Sequence, residues 1–214
     1  MKEGLLDSYK LEACVETLEE GLFAMQAGAD QLELCADLEL DGLTPSLSLV
    51  DQFLNKIPLP LKVMLRCRGG DFVYSKSEKE EMLALAKVLS SKPIRGVVCG
   101  ALLKGGQIDL NFIEELGRHL GGMPICFHKA IDESKDIIKS CRQLESLECV
   151  DSILSSGGAE SAKKGLDILK SMRSTINRIE LIAAGKITYE NIETIHQHLN
   201  LRTYHGRKIV HYHK

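Results

Sequence analysis

The chain has 214 residues, and 27 Lys and Arg against 30 Asp and Glu leave a net charge of -3. Hydrophobic residues make up 44% and charged residues 27%, a balance that fits one globular domain and excludes disorder, a collagen-like repeat and a coiled-coil rod. The slightly acidic balance argues against nucleic acid as a partner, and no apolar run approaches the ~20 residues of a membrane span.

The first residues, Met1-Lys2-Glu3-Gly4, carry no apolar export segment, which predicts a cytoplasmic protein. Seven cysteines in such a chain predict reduced thiols, and an odd count leaves at least one unpaired in any disulfide scheme. No CxxC and no zinc-finger spacing occurs, so a structural zinc site is not expected.

In chain order, short apolar segments alternate with longer amphipathic ones. Strands are expected over 10–16, 31–36, 61–67, 94–99, 124–128, 150–154, 178–183 and 202–205. Helices are expected between them, over 17–27, 46–56, 77–90, 109–120, 136–144, 161–173 and 188–199. Ser77-Glu78-Lys79-Glu80 reads as a capping box, Gly28 as the glycine that ends the first helix, and Asp109 and Thr188 as N-caps.

Eight strands alternating with seven helices predict a parallel sheet covered on both faces, and its natural closure is a (β/α)8 TIM-type barrel. An open doubly wound sheet is the competing arrangement, but no GxGxxG follows the first strand. The chain ends too soon after the last strand for an eighth helix, so a thinly covered groove is expected between the first and last strands. With no linker or low-complexity tract, residues 1–214 read as one domain.

Charge enters the apolar strands near their C-terminal ends, where a barrel builds its site. Strand residues alternate faces, so Glu12 shares a face with Cys14, Glu33 with Cys35, Arg66 with Arg68 and Met64, and Cys126 with His128, with Lys129 following. An internal ion-pair network of Glu12 and Glu33 with Arg66 and Arg68 is one reading. Buried charge is costly to assemble, however, and so many charges at one end favour a functional site. In that site Glu12, Glu33 and His128 are candidates for acid–base catalysis, and Arg66, Arg68 and Lys129 for anion binding. An anion is expected at Arg68, beside the open backbone of Gly69-Gly70.

Small residues after the late strands, Ser155-Ser156-Gly157-Gly158, Gly185 and Gly206, match either a phosphate cradle or plain turn chemistry. The cysteines also admit two readings, small buried hydrophobes or soft ligands suited to Cu(I). Cys67, opposite in phase to the arginines, is expected to face the helices. His211-Tyr212-His213 reads as a solvated tail.

Several stretches together resemble the CutC copper homeostasis family. They are Leu11-Glu12-Ala13-Cys14, Gly28-Ala29-Asp30-Gln31-Leu32-Glu33-Leu34-Cys35, Gly42-Leu43-Thr44-Pro45-Ser46, Arg66-Cys67-Arg68-Gly69-Gly70-Asp71-Phe72-Val73-Tyr74 and Phe127-His128-Lys129-Ala130-Ile131-Asp132. Asp41, Cys67 and Lys129 stand where the family pattern has Gly, Pro and Arg. The resemblance implies a cytosolic TIM barrel that handles copper (Cu+). Cys14 and Cys35 are then candidate ligands, with His128 or His205 as a third. The residue types at the mouth equally suit an enzyme of isomerase, aldolase or lyase type acting on a small phosphorylated or carboxylated metabolite. A scaffold with a decayed site is the third reading. A homo-oligomer stays open.

Overall fold

The computed structural model describes residues 9–211. The amino-terminal stretch and Tyr212-His213 of the tail lie outside them. The strands are β1 (Lys10–Val15), β2 (Gln31–Leu34), β3 (Leu61–Met64), β4 (Gly96–Cys99), β5 (Ile125–Phe127), β6 (Val150–Ser155), β7 (Glu180–Ala183) and β8 (Thr203–Gly206). Between them run α1 (Leu18–Gln26), α2 (Leu47–Lys56), α3 (Lys76–Leu89), α4 (Leu110–His119), α5 (Ile137–Glu145), α6 (Leu166–Thr175) and α7 (Ile192–Leu199). All strands pair in parallel and close in sequence order, β1 to β8 and back to β1. This is the expected (β/α)8 architecture. Among the described residues no helix follows β8, and none is long and apolar enough to cross a membrane.

The strands are buried on both faces, so two cores form. Outward residues such as Ala13, Leu32, Val63 and Val97 pack under the helices. The inner core holds Cys14, Cys35, Met64, Val98, Cys126, Leu154, Ile182 and Ala184. Cys67 packs on the outer core, in the phase its alternation predicted. Register then fixes which polar side chains are neighbours. Glu12 lies opposite both His205 and Gln31, while Glu33 lies opposite both Cys14 and Lys62.

The caps show why the helices start where they do. Thr17, Ser46, Asp109 and Asp136 each accept a backbone N–H three residues on. Gly28, at φ +91°, ends α1 as expected. Three starts are corrected. The capping box of α3 is Ser75 with Glu78, two residues earlier than the equally spaced Ser77 and Glu80. Glu78 also holds Arg68 at 2.6 Å, and that tie favours the earlier pair. Helix α6 starts at Leu166 rather than Ser161, because 161–165 form a turn pressed on the β6 loop. A Cβ on Gly165 would come within 1.9 Å of the Ser156 carbonyl oxygen. Thr188 does not cap α7; its own N–H donates to Asn191 Oδ1 at 3.0 Å, and the helix begins at Ile192.

The groove expected between β1 and β8 is also corrected. The outward residues Ala13, Val15 and Tyr204 are fully buried. Tyr9 meets Tyr204 edge-on at 5.3 Å, and His196 Nδ1 lies 2.9 Å from the Tyr204 hydroxyl. Ile209 and Val210, just past β8, are buried as well. These side chains do the covering that an eighth helix would have done.

Ser75→Ala should therefore lower stability by about 1 kcal/mol in a urea melt, the usual cost of a lost N-cap. Ser77→Ala should stay within ~0.5 kcal/mol of wild type, as an exposed substitution without such a role. The reverse order would restore the later capping box.

Candidate functional site at the barrel mouth

A fully buried carboxylate sits at the centre of the inner network. Glu12 Oε2 accepts from Lys62 Nζ at 2.9 Å and from Gln31 Nε2 at 2.8 Å. Its Oε1 lies 2.9 Å from His205 Nδ1. Four strands, β8, β1, β2 and β3, thus meet at one side chain. Burial alone would raise the Glu12 pKa, but Lys62 and His205 outweigh it and hold the carboxyl down to about 2. Lys62 is held above its ordinary value: burial opposes this, and Cys126, Glu12 and Glu33 outweigh it.

Lys62 was not among the sequence candidates, although it shares the inward phase of Met64 and Arg66. Arg66 and Arg68 take other roles than those expected. Arg66 is buried but donates to the carbonyl oxygens of Leu40, Gly42 and Gly70 at 2.9, 3.3 and 2.8 Å. It lies over the Phe72 ring at 4.7 Å and ties the loops after β2 and β3 together. Arg68 bonds Glu78 at 2.6 Å and Asp71 at 2.9 Å, and also donates to the Val73 carbonyl. Regular strand pairing stops at Met64; Arg66 keeps the inward phase, whereas Arg68 turns to the start of α3. The expected mutual bonds among Glu12, Glu33, Arg66, Arg68 and His128 do not form.

Above Glu12, Cys14 and Cys35 bring their sulfurs to 3.9 Å. Cys35 Sγ lies 3.4 Å from Glu33 Oε1, and Cys14 Sγ 4.0 Å from the same oxygen. Glu33 Oε2 accepts no hydrogen bond and has His205 Nδ1 3.9 Å away. Burial pushes the Glu33 carboxyl up to about 7. The hydrogen bond from Cys35, with further help from His205, brings Cys14 down to about 6 against its burial. The same bond, together with burial, raises Cys35, so the pair shares one proton. His205 is raised: burial opposes its charge, and Glu33, Cys14 and Glu12 outweigh it.

Among the described residues two groups place metal-ligating atoms within 4.8 Å of one another, Cys14 with Glu33 and Cys35, and Glu12 with Glu33 and His205. His128 joins neither. It sits just past β5, where its Nδ1 accepts the Ala130 N–H at 3.1 Å, so the ring proton is on Nε2. Burial, with Arg66 nearby, pushes His128 down to about 3.

A cavity of about 480 Å³ opens over these groups, lined by Cys14, Cys35, Glu33, Arg66, His128 and His205, with Lys129 exposed at its rim. The late-strand phosphate cradle is filled from within. The Asp132 carboxylate accepts from Ser155 Oγ at 2.5 Å, Ser156 N and Oγ at 2.9 Å each, and Gly158 N at 2.8 Å. Those donors are spent on the protein's own anion.

Fold and site together define a parallel eight-stranded barrel whose mouth carries a thiol pair above a buried carboxylate, lysine and histidine. The family model of the CutC family matches residues 9–210, and the chain belongs to that family. A CutC family protein of Pasteurella multocida is 38% identical over 183 residues, 85% of this chain and 75% of the relative. The human protein named copper homeostasis protein cutC homolog is 33% identical over 195 residues, 91% of this chain and 71% of its own. A solved CutC structure from Streptococcus agalactiae superposes with a TM-score of 0.88 at 30% identity, covering 94% of this chain and all of that one.

Lys62→Met should cost about 3–5 kcal/mol, because it strands a buried charge. Adding Glu12→Gln should recover much of that loss in urea melts; equal stability of both variants would contradict the central role of Glu12. The pH dependence separates the two buried groups. Below about 6.5 the unfolded chain takes up a proton that His128 refuses until about 3, so the contribution of this group falls as pH drops across that window, while Glu33, raised to about 7 in the fold, takes up its proton before the unfolded chain does and offsets it down to about 4.5. Glu12 adds its own loss only between about 4.5 and about 2. His128→Asn, which keeps an acceptor for Ala130, should leave the Glu33 contribution unopposed, so that stability rises as pH falls from about 6.5 to 4.5; a slope unchanged from wild type would reject this assignment.

Proposed function

We propose that this chain is a copper homeostasis protein that holds Cu(I) at the barrel mouth on the sulfurs of Cys14 and Cys35. The observation that carries this reading is the 3.9 Å separation of two thiols at the base of an open cavity. Soft thiolates select Cu(I) over Mg²⁺ or Ca²⁺, which prefer oxygen. A structural zinc site would ask for four ligands in a closed tetrahedron. Glu33 Oε1 is a further donor, 3.4 Å from the Cys35 sulfur and 4.0 Å from that of Cys14. Glu12 fixes the ring of His205, in the way a carboxylate outside a metal's own ligands orients a neighbouring histidine. The proposed reading also takes the name of the human relative and puts the protein in the cytoplasm, where such thiols stay reduced.

The enzyme reading draws on the cavity volume and on His128. The lysines that line the cavity are Lys129 and Lys186, and Lys186 is paired with Glu160 at 2.5 Å. Lys62, the buried lysine of the barrel interior, is ion-paired to Glu12 and does not line the cavity.

Titration of the reduced protein with Cu(I) in acetonitrile, against a chromogenic Cu(I) chelator, should give one equivalent bound. Cys14→Ser with Cys35→Ser should abolish that uptake. Stoichiometric uptake surviving in the double variant would reject the pair as ligands.

A further inference from the structure

A single copper ion leaves nearly all of the 480 Å³ cavity unused. That volume is in the range of small-molecule pockets, and its two ends differ in chemistry. One end carries the sulfurs and Glu33. The other carries hydrogen-bond donors without acceptors. His128 Nδ1 is occupied by the Ala130 N–H, which leaves Nε2–H as a donor, and Nε2 has no partner. Arg66 spends its terminal nitrogens on three carbonyls, but its Nε is buried and unpartnered too. A buried donor left unpaired costs roughly 1–3 kcal/mol, so two on residues that line one cavity favour a ligand that accepts from them. The nearby acid Asp132 is consumed by the Ser155–Gly158 loop. At the rim Lys129 has no ion pair among the described residues, and the exposed acids Asp41 and Glu133 also line the cavity.

We propose that copper enters this cavity as the complex of a small mercapto-carboxylate, whose sulfur stays on the metal between Cys14 and Cys35 while its carboxylate docks on His128 Nε2–H, Arg66 Nε–H and Lys129. The inference rests on the copper reading and adds the second ligand. The exchange balances without any redox step. A bis-thiolate Cu(I) complex gives up one thiolate, bonds form from copper to the Cys14 and Cys35 sulfurs, and the one proton that the pair shares is released. That proton leaves on the departing thiol, and copper remains Cu(I).

The test uses the full chain and two matched pairs of probes, 3-mercaptopropionate with 3-mercaptopropionamide and the peptide Gly-Cys-Gly with its C-terminal amide. Native mass spectrometry counts ternary complexes, and competition titration gives their affinities relative to bare Cu(I) from acetonitrile. At least one carboxylate probe should form a one-to-one-to-one complex, favoured about tenfold over its amide, the scale of one lost charged hydrogen bond. In His128→Asn the ratio of ternary to bare-copper affinity should fall by about the same factor, while in the distant Lys170→Ala it should not move. Equal retention of acid and amide by wild type overturns the proposal even if the His128 variant does not fold. So does binding of the mercapto acid that is equally tight without copper. Failure of bare Cu(I) to bind would instead overturn the copper reading beneath it.

Discussion

The structure of the mouth depends on how one buried anion is neutralised. Glu12 has no access to solvent, and a carboxylate in that position is tolerable only when paired and hydrogen-bonded. Lys62 supplies the charge, Gln31 a neutral donor, and His205 the third bond. Because these come from three other strands, the arrangement also pins the register of β8, β1, β2 and β3. The ring of His205 is fixed as a consequence, and Cys14 feels its charge. Glu33, close by but without a dedicated cation, is left as a carboxyl that titrates near neutrality. The two glutamates were equivalent in the sequence and are opposite in the fold.

Much of this was legible in the alternation of strand residues. The period of two put Glu12 with Cys14 and Glu33 with Cys35 on the inner face, and parallel closure brought both pairs to one mouth. Lys62 has the same phase, but nothing in the sequence singles it out. Only the register, which sets Glu33 beside Lys62, shows that its ammonium reaches Glu12. Arg66 and Arg68 make bonds that the period of two does not show. Beyond Met64 the chain leaves the sheet, and although Arg66 still lines the cavity, its terminal nitrogens are taken by carbonyls and Arg68 leaves the mouth. Arg68 turned to the start of α3, and Arg66 to loop carbonyls that no sequence pattern announces. The motif that carried the family resemblance there, RxRGGDF, holds two loops in place by Arg66 and anchors a helix by Arg68.

The loop after β6 shows the same lesson from the other side. Small residues with free N–H groups looked like a cradle for phosphate, yet Asp132 from the segment after β5 occupies it. An anion site and an internally capped turn have the same composition, and only the partner distinguishes them. The cavity that remains is polarised, with sulfur and acid over β1 and β2 and unmet donors around His128 and Arg66.

The central claim is that the functional groups at this mouth are the two thiols above Glu12. Cu K-edge X-ray absorption of the Cu(I)-loaded protein reads the metal's neighbours directly. A sulfur-dominated shell, lost when Cys14 and Cys35 are both serine, is the expected result. A shell of nitrogen and oxygen scatterers in the wild-type protein would contradict it.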